Sequence, residues 1–182
     1  MRHIPNSITL FNLFLGCIAV VMALSGALPL AAVLILICSL LDFLDGATAR
    51  WLKAWSPLGV QLDSLADLIS FGLAPAAIVY FYLQQAVQQS GISGILGMTP
   101  WLAFLLTVFS GLRLAIFNTD QRQGHTFIGL PTPANALFFA ALPLGMHFSG
   151  GLLQMDGLLQ LLSADLYYML GLTFLFSYLL VS

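Results

Sequence analysis

Long apolar runs broken at a few points by Asp, Asn, Gly and Pro dominate the chain. Six runs can be marked, at roughly Ile8–Leu24, Leu28–Leu41, Leu68–Val87, Pro100–Phe117, Pro133–Phe148 and Leu166–Val181. Most approach the length that a helix needs to cross a hydrocarbon layer. The second is short as marked, but it reaches spanning length if the helix continues past Asp42 and Asp45 to Arg50. Its polar end then projects into the headgroup region. Pro57 and Gly59 predict a third helix starting near Leu58, with Asp63 and Asp67 in its first turns. The segment 149–165 reads as a short interfacial helix with Asp156 and Asp165 in water. The expected fold is an all-α, polytopic membrane protein with six transmembrane helices, forming one catalytic domain over residues 1–182. The last residues are apolar, which suits either a natural end or a shortened chain.

Composition agrees with this pattern. Of 182 residues, 60% are apolar and 7% are charged, and the mean hydropathy is +0.99. A soluble domain carries about a quarter charged residues, so most of this surface must meet lipid. No stripe of Lys or Arg exists to engage a nucleic acid. Cys17 and Cys38 lie inside apolar runs, without metal-site spacing. The first run lacks a cleavage site and reads as a retained span.

The basic residues predict orientation. With six alternating spans, Arg2, Arg50, Lys53, Arg113 and Arg122 all fall on one side, and the opposite loops contain none. The positive-inside rule puts that side, with both termini, in the cytoplasm of a cell membrane.

All seven acidic residues are Asp, and four of them, Asp42, Asp45, Asp63 and Asp67, fall within 26 residues. Spacings of three and four put each pair on one helix face, and a short linker makes the two helices antiparallel neighbours. Four converging carboxylates beside lipid must hold protons or bind cations. A donor set of oxygen alone favours Mg²⁺, Mn²⁺ or Ca²⁺ over zinc, and four carboxylates suffice to bridge two ions. Gly46, Ala49 and Gly59 share the carboxylate faces and permit close approach of a ligand or of the other helix. Arg50, one turn away, can reach a phosphate or hold an Asp. The alternative of another class is a cation-coupled membrane transporter using the same four Asp.

These residues read Asp42-x2-Asp45-Gly46-x2-Ala49-Arg50-x8-Gly59-x3-Asp63-x3-Asp67. The pattern resembles, at all eight fixed positions, the signature D-x2-D-G-x2-A-R-x8-G-x3-D-x3-D of the CDP-alcohol phosphatidyltransferases. The resemblance implies a six-helix membrane enzyme, commonly a homodimer, that uses two divalent cations, Mg²⁺ or Mn²⁺, with Ca²⁺ as another ion that fits. Asp42, Asp45 and Asp63 would hold the metals. Asp67 would join the second ion and act as the catalytic base on the incoming hydroxyl. Asp45, Gly46, Ala49 and Gly59 would accommodate the CDP-lipid, supported by Arg50.

Other segments narrow the acceptor. Pro5-Asn6-x2-Thr9-x2-Asn12 is similar to the P-N-x-x-T-x-x-N opening of the serine-using branch and several relatives, although Asn6 or Ser7 can equally cap the first helix. The resemblance places Asn6 and Thr9 with the CDP-lipid. Arg113-Leu114-Ala115-Ile116-Phe117-Asn118-Thr119 and Phe127-x-Gly129-Leu130-Pro131-x-Pro133-Ala134 are similar to R-L-A-R-F-N-T and F-x-G-L-P-x-P-A of the same branch, with Ile116 where a basic residue is common. The implied partners are CDP-diacylglycerol, L-serine and membrane lipid. Asn12, facing a polar cavity or making a structural hydrogen bond, is assigned to the acceptor with Arg113, Asn118, Thr119 and Arg122. A phosphate-bearing acceptor, giving phosphatidylglycerol phosphate or an inositol phospholipid, would ask for a denser basic cluster than five residues provide.

Overall fold

The computed structural model describes residues 3–52, 56–119, 129–148 and 165–182. Six helices and no strand occur among the described residues, as the apolar pattern predicts: α1 His3–Leu24, α2 Leu28–Trp51, α3 Pro57–Ser90, α4 Gly94–Thr119, α5 Thr132–Phe148 and α6 Leu166–Leu179. The first four are long and apolar enough to cross a membrane. The segment 149–164, expected to be interfacial, lies outside the described residues.

Local chemistry sets the boundaries. Gly26, with φ +85°, closes a tight turn between α1 and α2, and a Cβ there would press on the Phe81 ring at 2.9 Å. α2 runs through Asp42 and Asp45 to Trp51 in one piece, so both carboxylates are helical. Ser56 caps α3, its Oγ accepting from the Gly59 amide at 3.0 Å, with Pro57 at the first helical position. α4 starts six residues earlier than the apolar pattern predicts. Its Gly94–Phe104 part is wound as a 3₁₀ helix, a geometry that houses Pro100 despite its missing N–H. Asp165 caps α6, accepting from the Tyr167 amide at 2.8 Å.

α3 is the central helix. In its most apolar stretch 61% of residues are buried, against 22–33% for α1, α2 and α4. The core around it is rich in small side chains, including Ala19, Ala31, Ala32, Ala74 and Ala77. Lipid chains are as apolar as Leu, so helices in a membrane gain chiefly from the close backbone packing that Ala permits. Phe14, Val21, Leu40 and Val108 point outward, as lipid-facing positions do.

Candidate active site

Three segments meet at one end of the bundle: the start of α1, the end of α2 and the start of α3. Asp42 from α2 and Asp63 and Asp67 from α3 each offer a carboxylate oxygen, all within 4.8 Å of one another. The i, i+4 spacing of Asp63 and Asp67 puts them on one face, and the antiparallel α2 brings Asp42 opposite. Asp67 Oδ1 is shut off from solvent and has no hydrogen-bond partner. A buried carboxylate oxygen left this way is costly unless a cation or a donor on a substrate completes it. The three residues could therefore hold a metal ion, and their oxygen-only donors suit a hard one.

Asp45 stands outside this trio. It is 5% exposed, and its Oδ2 lies 2.8 Å from Thr9 Oγ1, which also lies 3.0 Å from the Pro5 carbonyl. The single Thr9 proton is shared between those two acceptors. α1 is thereby tied to the acidic end of α2.

Beside the carboxylates opens a cavity of about 130 Å³, on whose wall Asn6, Thr9, Asp45, Gly46, Ala49 and Gly59 all lie. Asp63 also lines it, so the cavity adjoins the acidic trio. A Cβ added to Gly46 would meet nothing within 4 Å, because this face of α2 looks into open space. At Gly59 a Cβ would approach Asn6 Oδ1 and Ser56 Oγ at 3.1 Å, so that glycine lets α1 and α3 close the cavity floor. Arg50 is exposed and is not among the lining residues.

The residues assigned to an acceptor are more dispersed. Arg113 of α4 is half-buried and near enough to Asp67 for their charges to interact. Its Nε is buried without a partner. Asn118 Nδ2 donates to Ser64 Oγ at 2.8 Å, one residue from Asp63. Thr119 Oγ1 donates back to its own helix, at the Ala115 and Ile116 carbonyls. Asn12 is 1% exposed and not among the cavity-lining residues; its Oδ1 accepts from Ser70 Oγ at 3.1 Å inside the bundle. Arg122 lies outside the described residues.

Three residues at the site escape the sequence reading. Ser56, Val60 and Ser64 occupy variable positions of the signature, and Ser56 and Val60 line the cavity. Ser56 carries a readable signal, since Ser before Pro marks a helix start. Ser64 carries none, because its role comes from Asn118 across a tertiary contact.

Fold and site together define a polytopic membrane protein with a carboxylate cluster beside a cavity. The CDP-alcohol phosphatidyltransferase profile matches residues 2–175, and the chain belongs to that family. Among its relatives, a CDP-diacylglycerol–serine O-phosphatidyltransferase of Bacillus subtilis (strain 168) is 38% identical over 133 residues, covering 73% of this chain and 71% of the relative. One of the same name from Helicobacter pylori (strain ATCC 700392 / 26695) is 38% identical over 135 residues, covering 73% of this chain. An archaetidylserine synthase of Methanothermobacter thermautotrophicus is 32% identical over 148 residues, covering 80% of this chain and 60% of the relative. The chain spans about half the length of the H. pylori relative, 54%.

Proposed function

We propose that this chain transfers the phosphatidyl group of CDP-diacylglycerol to the hydroxyl of L-serine, forming phosphatidylserine and CMP. The observation that carries the reading is the trio Asp42, Asp63 and Asp67 opening beside a cavity walled by Asn6, Thr9, Gly46, Ala49 and Gly59. Serine as acceptor rests on the names of the relatives, CDP-diacylglycerol–serine O-phosphatidyltransferase and archaetidylserine synthase, both of which contain it.

Two divalent cations, Mg²⁺ or Mn²⁺, held by Asp42, Asp45, Asp63 and Asp67, would supply positive charge that offsets the pyrophosphate and the departing CMP. The protein's own residues do the rest. Gly46 and Ala49 leave room for the CDP moiety, while Asn6 and Thr9 offer it polar contacts. Asp67 takes the proton of the serine hydroxyl as the new O–P bond forms and the bond to CMP breaks. Its unpartnered Oδ1 is the atom suited to that task. Arg113, whose charge interacts with that of Asp67 and whose Nε is free, binds the serine carboxylate and aims the hydroxyl in line with the leaving group. Displacement is direct, with inversion at phosphorus. Residues 1–182 act as one catalytic domain, as a homodimer in the cytoplasmic membrane with the acidic end in the cytoplasm. The distribution of basic residues supports the orientation and the family resemblance the dimer.

The test is acceptor choice. Nanodisc-embedded protein is given CDP-diacylglycerol, Mn²⁺ and labelled serine, glycerol 3-phosphate or inositol phosphate in parallel. Lipid product from serine alone is expected. Product from a phosphate-bearing acceptor instead would transfer the chain to a sister activity. Product from none would return the four Asp to cation transport.

A further inference from the structure

Immediately after Asp67, α3 leaves regular α geometry. Leu68–Leu73 is wound as a π-turn, and the α-helix resumes at Ala74. A π-turn accommodates an extra residue, which rotates everything beyond it by about 100° relative to an unbroken helix. The two halves of α3 can therefore present independent faces. The half before the turn buries only Ala66 and aims Asp63 and Asp67 toward Asp42. The half after it buries Ala74, Ala76, Ala77, Ile78 and Val79 in the core.

This turn is clamped from both sides. From α1, Asn12 Oδ1 accepts from the fully buried Ser70 Oγ at 3.1 Å, and the Asn12 carbonyl lies 3.4 Å from the same hydroxyl. Gly16 makes the fit possible, since a Cβ there would collide with Ser70 Oγ. From α4, Thr107 Oγ1 donates to the Gly72 carbonyl at 3.2 Å. Gly72 in turn lets α4 approach, for a Cβ there would stand 3.2 Å from Ser110 Cβ.

We propose that Ser70, with Asn12 behind it and Thr107 opposite, is a positioning residue for Asp67. The clamp holds the π-turn in register and so fixes where the Asp67 carboxylate stands relative to Asp42 and Asp63. The inference deepens the reading above, because it rests on Asp67 serving as ion ligand and base. A purely structural clamp would lower the fraction of folded protein and leave the surviving sites unaltered. A positioning clamp changes each surviving site.

The experiment uses the full chain in nanodiscs, with Mn²⁺ affinity followed by electron paramagnetic resonance and kcat counted per CDP-binding site. Ser70→Ala is expected to weaken Mn²⁺ binding several-fold and to lower kcat per site by about ten- to a hundredfold, the scale of a misplaced reacting group. The KM for serine stays within about twofold, because Arg113 is untouched. Thr107→Val, which keeps side-chain shape, moves both quantities the same way and decides the matter should Ser70→Ala not assemble. Ser177→Ala, at a buried α6 serine outside the turn, leaves them unchanged. Wild-type Mn²⁺ affinity in the clamp variants, or an equal loss in Ser177→Ala, would overturn the inference. Wild-type protein that binds Mn²⁺ but makes no lipid from serine sinks the acceptor assignment instead, and the Mn²⁺ comparison still decides the clamp.

Discussion

The two sides of the site are built differently. On the CDP-lipid side, six assigned residues from α1, α2 and α3 line a single cavity. On the acceptor side, Arg113 alone of the described residues assigned to the acceptor keeps a buried polar atom unpartnered, while Asn118, Thr119 and Asn12 are engaged elsewhere. The lipid side comes largely from two consecutive helices joined by a short linker, so distance along the chain translates directly into distance in space. The acceptor side depends on how α4 docks on α3. That docking is set by close approaches at Gly72, against Ser110, and at Gly111, where an added Cβ would stand 3.3 Å from Leu68 Cδ1.

Asp67 links the two sides through the trio it forms with the cavity-lining Asp63 and through its charge interaction with Arg113, and its loss should be the largest. Asp67→Asn is expected to cut turnover about 10²- to 10⁴-fold while retaining part of the Mn²⁺ binding, as removal of a general base does. Near-normal turnover would move the base elsewhere. Arg113→Leu should then separate the sides: the KM for serine rises about 10- to 100-fold, the scale of a charge-assisted hydrogen bond, and CDP binding holds. An unchanged serine requirement in steady-state kinetics would place the carboxylate contact on another residue.

Gly46→Leu probes the lipid side alone. Its side chain would project into open space, so thermal stability should not fall, yet CDP-lipid affinity should drop on the order of tenfold as the cavity fills. Unaltered affinity in a binding titration would mean that the CDP moiety sits elsewhere. Thr9→Val removes the hydroxyl at Asp45 Oδ2 and should weaken CDP-lipid binding by roughly three- to tenfold, the net worth of one ordinary hydrogen bond. Equal affinity would make that contact dispensable. The smallest effect is expected for Asn118→Ala, below about threefold in the serine KM, because its amide is already held by Ser64. A loss as large as that of Arg113→Leu would erase the contrast between the sides and make Asn118 a direct serine contact.

Much of this was legible before any coordinates. Apolar runs of spanning length and almost no charge leave helices in lipid as the available solution, since backbone groups must be satisfied within each segment. The spacings 42/45 and 63/67, joined by a short linker, predict converging carboxylates, and three of the four do converge, while Asp45 turns to Thr9. Pro57 and Gly59 predict a start of α3 near Leu58, and the helix begins at Pro57. Other features belong to the tertiary structure alone. The π-turn after Asp67 has no counterpart in the apolar pattern, because it exists through hydroxyls supplied by α3 and α4 and an amide from α1. Asn12 reads equally well as a cavity residue or a buried hydrogen bond, and only the packing of α1 on Ser70 reveals which bond it makes. Periodicity records which face of a helix is apolar, and spacing records which residues share a turn. Which residue of a distant helix stands opposite is decided by how closely two backbones approach, and no single stretch of sequence contains that.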